Sequence, residues 1–446
     1  MFQFDTAQLR ELASDALEYG ATQGASAMVA EISENDGLNV TVRRQDVETV
    51  EQTRDKSFSV TAYIGDQRGN ASSSDFSMAS IRETVDAAIR IARFTAPDPF
   101  AGLPAKGDMA RKIRDLDLHH PWDLTSEQAI DIAMAAEAAA LSLSSEIGNT
   151  DGASVATGEG QFVLANSLGF NQGYASSHHS ISCSPIAVRG DEMERDYWYA
   201  VNCDASALPG PAALGEYAGR RSLARLGSRQ IPTQRVPVLF EAPIACGLLG
   251  HFAQAASGSA LYRQSSFLEG ALDKKLFARH LSIDEEPHLV RNLGSSPFDG
   301  EGVKTRHRKV VDRGVLTGYF LSSYSARKLG MKTTGNAGGS HLLTFESKRT
   351  RPEDDLLAML RKLDRGLFVT ELMGMGVNYV TGDYSRGASG FWVENGQIQY
   401  PVSEITIAGN LKDMFKGIEA VGADVLQRGG KRTGSVLLAE MSVAGT

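Results

Sequence analysis

The sequence predicts an α+β fold in two units, 1–229 and 230–446, with helices packed on sheets in the first unit and a more β-rich second. Three observations point there. Capped amphipathic segments alternate with strand-like runs through the first half. A polar, Gly- and Pro-containing stretch at 227–235 reads as a boundary. In 370–410, glycines at 374, 376, 382, 387, 390, 396 and 409 punctuate β-branched and aromatic runs, a pattern of turns, bulges and close backbone approach.

Taken in order, Asp5 is the expected N-cap of a helix bearing Leu9, Leu12, Ala13, Ala16 and Leu17 on one face. Alternation places strands near 27–32, 38–51 and 57–64, then a turn at 65–69 and a short strand to 74. Ser77 caps a second helix with Ile81, Val85, Ala88, Ile89 and Ala92 inward. Prolines 97, 99, 104 and 121 mark a long connection that carries His119 and His120. Thr125 with Gln128 forms a capping box for a helix over about 126–145. A β-meander over 151–203 follows, with His178 and His179 on opposite faces of one strand, then a helix over 211–226.

The second unit opens with a strand at 236–240 and a helix started by Pro243, with Ala245, Leu249, Phe252, Ala253 and Ala256 on one side. Residues 257–300 read as irregular. Strands at 304–312 and 316–321, a short helix at 323–329, a flexible loop at 334–341 and a helix at 352–364 come next. The basic run from Lys304 to Lys309 alternates as a solvated strand face would. Glu394-Asn395-Gly396 reads as a hairpin turn, and 382–387 as a polar turn.

Composition excludes several classes. The chain is 42% hydrophobic and 22% charged, ordinary for a globular protein, and its net charge of −9 argues against nucleic-acid binding. Three widely spaced cysteines give no disulfide framework and suggest a reducing compartment. No signal peptide or membrane span is expected: the first residues lack a basic and an apolar region, and 129–143 is too short and carries charges. A cytoplasmic protein is the expectation. Walker A, GxGxxG, GxSxG and HExxH patterns are all absent. His280 and His288 flank Asp284, Glu285 and Glu286, but the spacing converges on no metal and Pro287 breaks the run.

Five blocks carry a resemblance to a known family: SSPFDGEGV at 295–303, SSYSARKLG at 322–330, VTELMG at 369–374, and the runs 382–394 and 400–413. In this order they resemble the PmbA/TldE branch of the TldD/PmbA family, also called the U62 peptidases or "modulator of DNA gyrase" family. The resemblance implies a two-domain PmbA/TldD-like fold and a two-subunit cytoplasmic metallopeptidase. In that family the TldD-like subunit holds zinc with a helical HExxxH and a cysteine near its C-terminus. The PmbA/TldE-like subunit helps close a cavity for unfolded peptides, in processes linked to peptide-antibiotic maturation and antitoxin turnover. Carried onto this sequence with Leu248-Leu249 as register, the ligand and base positions are Gly250, His251 and Ala255, and no cysteine follows Cys246. The resemblance therefore implies no metal in this chain and an HExxxH-bearing partner, with a homodimer as a further possibility. His251 is expected to be a polar group at the cavity or an interface.

Gly338, Gly339 and the 383–387 segment (Asp383, Tyr384, Ser385, Arg386, Gly387) are the candidates for a peptide-binding wall, through backbone hydrogen bonds that accept many sequences. Two alternatives stay open at this point: a regulatory protein-binding factor with no proteolytic role, and an autonomous peptidase using Ser385-Arg386 or the 280–288 segment.

Overall fold

A computed structural model describes residues 2–445. The first half runs α1 (Thr6–Thr22), β1 (Ala27–Arg43), β2 (Asp46–Ile64), β3 (Gln67–Ser73), α2 (Met78–Phe94), α3 (Ser126–Leu141), β4 (Asn149–Asn166), β5 (Asn171–Arg189), β6 (Glu192–Arg195), β7 (Trp198–Asn202) and α4 (Pro211–Ala224). Local chemistry sets the helix starts. Asp5 and Gln8 close one capping box, Thr125 and Gln128 another, and Ser77 accepts from Ser80 N–H. The strands form one sheet in the order β3-β2-β1-β4-β5-β6, with β7 also on β5. α1 and α2 bury Leu9, Ala13, Ile81 and Val85 against Ile32, Phe58 and Val163, while α3 and α4 cover the far end through Ala133, Ala136 and Leu214.

The strand expected at 38–51 is not a separate element. β1 continues unbroken to Arg43 and returns through a two-residue turn, Arg44 (φ 54°) and Gln45 (φ 61°). Such a turn normally selects Asn-Gly. Here a fully buried carboxylate supplies what the turn residues lack: Glu137 on α3 accepts from Arg44 N–H (2.9 Å) and Gln45 N–H (2.6 Å).

The second half contains β8 (Gln234–Phe240), α5 (Ala242–Ala255), α6 (Gly258–Tyr262), β9 (Leu281–Glu286), β10 (Arg308–Asp312), β11 (Val315–Leu316), α7 (Ser323–Lys328), β12 (Leu342–Ser347), α8 (Leu356–Leu363), β13 (Gly366–Met373), β14 (Asp383–Glu394), β15 (Gln397–Asn410), α9 (Leu411–Lys416), β16 (Ile418–Val421), β17 (Leu426–Arg428), β18 (Lys431–Thr433) and β19 (Val436–Ala444). One sheet is β11-β10-β9-β12-β18-β17. The other, β15-β14-β13-β8-β19-β16, has an added β15–β19 pairing. That pairing closes five strands into a ring and removes their free edges. The hairpin at 394–397 forms as expected, with Asn395 (φ 53°) and Gly396 (φ 71°) left-handed.

Two expectations change. Residues 257–300 hold α6 and the buried strand β9, whose hydrophobic alternation is masked by Asp284 and Glu285. The strand at 316–321 ends at Leu316, because Tyr319, Phe320 and Leu321 turn into the core. No helix among the described residues is long and apolar enough to cross a membrane.

Replacing Glu137 by Ala would remove the shared acceptor of two N–H groups in an exposed turn. Hydrogen bonds to a charged group contribute about 1.5–3 kcal/mol and water takes up part of the loss at an exposed turn, so Glu137→Ala should lower unfolding free energy by about 1–3 kcal/mol in urea denaturation. A loss under about 0.5 kcal/mol would mean that the turn does not need this carboxylate.

Candidate functional site

α5 is the element around which the site is built. Its Ala245, Leu248, Leu249 and Phe252 are buried, and the Phe252 ring meets Phe277 and Phe320 edge-on at 5.5 and 6.0 Å. The opposite face carries Gly247, Gly250, Ala253 and Gln254. A Cβ at Gly247 would meet nothing within 4 Å, and one at Gly250 only Lys431 Cε at 3.8 Å. At these two positions the helix backbone is bare, with open space above it.

Over that face lies a cleft of about 560 Å³. α5 and α6 form one wall and α7 another, through Ser322, Tyr324 and Ser325. The third wall is the loop at 336–340, including Gly338 (φ 97°) and Gly339 (φ 118°), both exposed. Among the described residues, neither the Gly338 N–H nor its carbonyl has a hydrogen-bond partner. The loop is nevertheless held firmly from beneath. Buried Glu285 accepts from Asn336 Nδ2 (2.7 Å), His341 N–H (2.9 Å) and Arg308 Nε (2.7 Å), and Arg308 also donates to Asn336 Oδ1 (2.8 Å). Asp299 in the SSPFDGEGV block accepts from Glu301, Val303 and Ala337 N–H groups. Its burial pushes its pKa up to about 6 despite these donors. Arg308 is thus a half-buried network member, and the basic run at 304–309 is not simply a solvated face.

α7 is fixed from its other side. Arg327 donates to the carbonyls of Phe100 (2.7 Å), Gly102 (2.9 Å) and Leu103 (3.1 Å), and Tyr324 Oη donates to Asp98 (2.7 Å). The long connection of the first half therefore buttresses the cleft.

The residues singled out from sequence separate into three places. Gly250, Gly338 and Gly339 share the cleft. His251 points the other way: Nδ1 pairs with Tyr379 Oη at 2.9 Å, and its ring stands edge-on to Tyr384 at 5.7 Å. Burial, with the Arg386 charge nearby, takes its pKa down to about 4, and burial pushes Tyr384 up to about 12. Ala255 is fully buried, and its carbonyl accepts from Ser266 Oγ.

The segment from Asp383 to Gly387 is not a turn and does not line the cleft. It is the start of β14, paired with 406–410 of β15. Its other edge is occupied as well: Ser385 N–H donates to Gly376 O (2.7 Å) and Asn378 N–H to Asp383 O (2.8 Å). The glycine-rich composition that suggested a turn serves close packing; a Cβ on Gly376 would lie 1.8 Å from Ser385 O.

The three positions matched to a metal-binding helix offer one ligating side chain, and that imidazole is engaged by Tyr379. No group of three or more His, Cys, Asp or Glu converges among the described residues. A catalytic zinc takes about three protein ligands, so the donor set does not fit one. His280 is tied to Ser347 and the Ile418 carbonyl, and His288 to Thr305, in separate places. The cysteines are buried; burial pushes Cys183 up to about 12 and Cys246 to about 11, so neither is a thiolate at neutral pH. Sequence reasoning missed Lys431 and the α7 wall. The block at 322–330 was visible, but nothing local shows which cavity it faces.

The architecture is that of a two-half α+β protein with a peptide-scale polar cleft beside an amphipathic helix. Family models for the PmbA/TldA metallopeptidase match it in three parts: domain 1 over 30–92, the central domain over 119–226 and the C-terminal domain over 233–445. The chain is 46% identical over 438 residues to the metalloprotease PmbA homolog of Haemophilus influenzae, covering 98% of this chain and 96% of that protein. It is likewise 46% identical over 437 residues to metalloprotease PmbA of Escherichia coli O157:H7, with coverage of 98% and 96%. This chain belongs to the PmbA/TldD metallopeptidase family. Among solved structures it superposes on a modulator-of-DNA-gyrase protein of Bacteroides thetaiotaomicron with TM-score 0.92 at 26% identity, covering 98% of this chain and 99% of the other. TldE of Thermococcus kodakarensis shares the fold, with TM-score 0.84 at 17% identity, over 97% of this chain and 100% of that one.

His251 makes stability depend on pH. Its folded pKa near 4 lies below the unfolded value near 6.5, so the contribution is complete above pH 6.5 and is lost as pH falls toward 4. From pH 7.5 to 5 the parent should lose about 2 kcal/mol more unfolding free energy than His251→Gln. Parallel pH profiles in urea titrations would show the histidine to be solvated instead.

Proposed function

We propose that this chain is the non-metal subunit of a two-subunit cytoplasmic metallopeptidase, holding unfolded peptide for cleavage by an HExxxH-bearing relative. One observation carries the reading. Where a metal-binding helix would present its first ligand to the cleft, α5 presents Gly250, while the exposed backbone at Gly338 lies across the same cleft. Extended peptides are bound largely by backbone hydrogen bonds, which suit varied unfolded sequences. The His251 imidazole, turned toward Tyr379, acts as packing and not as a base. Family membership supplies the expectation of a zinc-bearing partner, and a peptide antibiotic precursor or an antitoxin is the proposed kind of substrate.

The test is cleavage of an unstructured peptide by this chain alone, by an HExxxH relative from the same cell, and by the two together, each with and without chelator. Activity confined to the mixture and abolished by chelator is expected. Chelator-sensitive turnover by this chain alone would sink the non-metal assignment. No activity in any combination would favour a regulatory binding role of the gyrase-modulator kind.

A further inference from the structure

A second cavity, of about 270 Å³, lies on the other flank of α5 and shares Gly250 and Lys431 with the cleft. Its distinctive groups come from the β17–β18 hairpin. A Gly429-Gly430 turn sets Arg428 directly across from Lys431 in register. Like charges placed opposite each other in a sheet repel, and neither cation has a carboxylate within 4 Å among the described residues. Arg428 spends one donor on the Tyr199 carbonyl (3.1 Å) and stacks on the Tyr199 and Trp198 rings at 3.8 and 4.7 Å. Burial pulls its pKa down, and Glu241, a carboxylate whose charge reaches it, is already paired with Arg221, so the charge is held at a cost. The carboxylates on that wall are already taken: Arg221 binds Glu241 at 2.7 Å and Asp196 at 3.2 Å.

We propose that this cavity is a carboxylate subsite. Arg428 and Lys431 take the terminal carboxylate of a peptide that passes over Gly250 into the larger cleft, and Trp198 and Tyr199 pack on its last side chain. The volume lies just below the roughly 300–1,000 Å³ typical of sites that enclose a whole small ligand, which suits a chain end. Arg428 keeps several donors free for the two oxygens of a carboxylate. The acidic pair on Arg221 disfavours a dianion, which argues for a carboxylate over a phosphate. Bare backbone at Gly247 and Gly250 leaves the passage between the cavities open. The choice of a peptide as occupant rests on the function proposed above.

Calorimetric titration of the full chain tests it with three peptides of one sequence: free acid without acidic side chains, its C-terminal amide, and the amide carrying one glutamate. The free acid should bind about tenfold or more tighter than the plain amide. Arg428→Gln should remove that difference while leaving the amide's affinity unchanged, and Lys431→Met, at a residue that also lines the cleft, should remove the difference between acid and amide whatever it does to the affinity of both. Gly247→Phe, which fills the cavity from a position with open space, should remove it without touching either cation. Equal binding of the glutamate amide and the free acid would support the carboxylate site with a side chain as its source. Equal binding of acid and plain amide, no binding of either, or displacement of the acid by equimolar inorganic phosphate would overturn the proposal. Acid preference without cleavage in any subunit mixture would fail the proposed function alone; cleavage without acid preference would fail this inference alone.

Discussion

The structure depends on how α5 divides its two faces. Burial of Leu248, Leu249 and Phe252 against the second-half core fixes the helix axis and rotation. Each such side chain contributes about 1.5–3 kcal/mol on burial, which far exceeds anything its glycine face supplies. Once the helix is set in this way, Gly247 and Gly250 must face outward, and two cavities open on either side of them. The packing face therefore holds α5 in place without any side chain at positions 247 and 250.

The cleft wall opposite α5 shows the reverse arrangement, with exposed backbone held by a buried polar network. Gly338 and Gly339 adopt left-handed conformations open to few residues besides glycine. Their positions follow from Glu285, whose carboxylate is satisfied by Asn336, His341 and Arg308 together. A network satisfied at every member rigidifies its surroundings. The loop that reads as flexible in sequence is thus a preorganised ledge. Arg327, reaching the carbonyls of 100–103, extends the same support across the two halves of the chain.

What was legible in the sequence was what local chemistry decides. Asp5, Ser77 and Thr125 cap helices because their side chains reach N–H groups three residues on, and Asn395-Gly396 turns because both residues tolerate positive φ. Features set by distant residues were not legible. The turn at Arg44-Gln45 is stabilised by a carboxylate more than ninety residues away, so its own residues carry no signal. The stretch at 383–387 has the polar content of a turn, yet it is paired strand, and the flanking Gly376 and Gly390 let the backbones of Ser385 and Phe368 approach too closely for a Cβ. At the site, Gly250 and Gly338 were visible as residues, but that they face each other across one cleft follows only from the tertiary fold.

The two cavities meeting at Gly250 bear on how a family can vary chemistry without varying fold. The outward face of α5 tolerates any side chain that the cleft can accommodate, since a Cβ at Gly250 contacts only the mobile end of Lys431. Position 251 is different: its ring is enclosed by Tyr379 and Tyr384, and a charged group there would pay desolvation, which the Arg386 cation offsets in part for an anion and adds to for a cation. Position 255 is sealed in the core. Restoring a ligand set to this helix would therefore require repacking around residues 251 and 255 as well as adding a side chain at 250. The absence of a fitting donor set is built into the packing beneath the helix as well as into its exposed face.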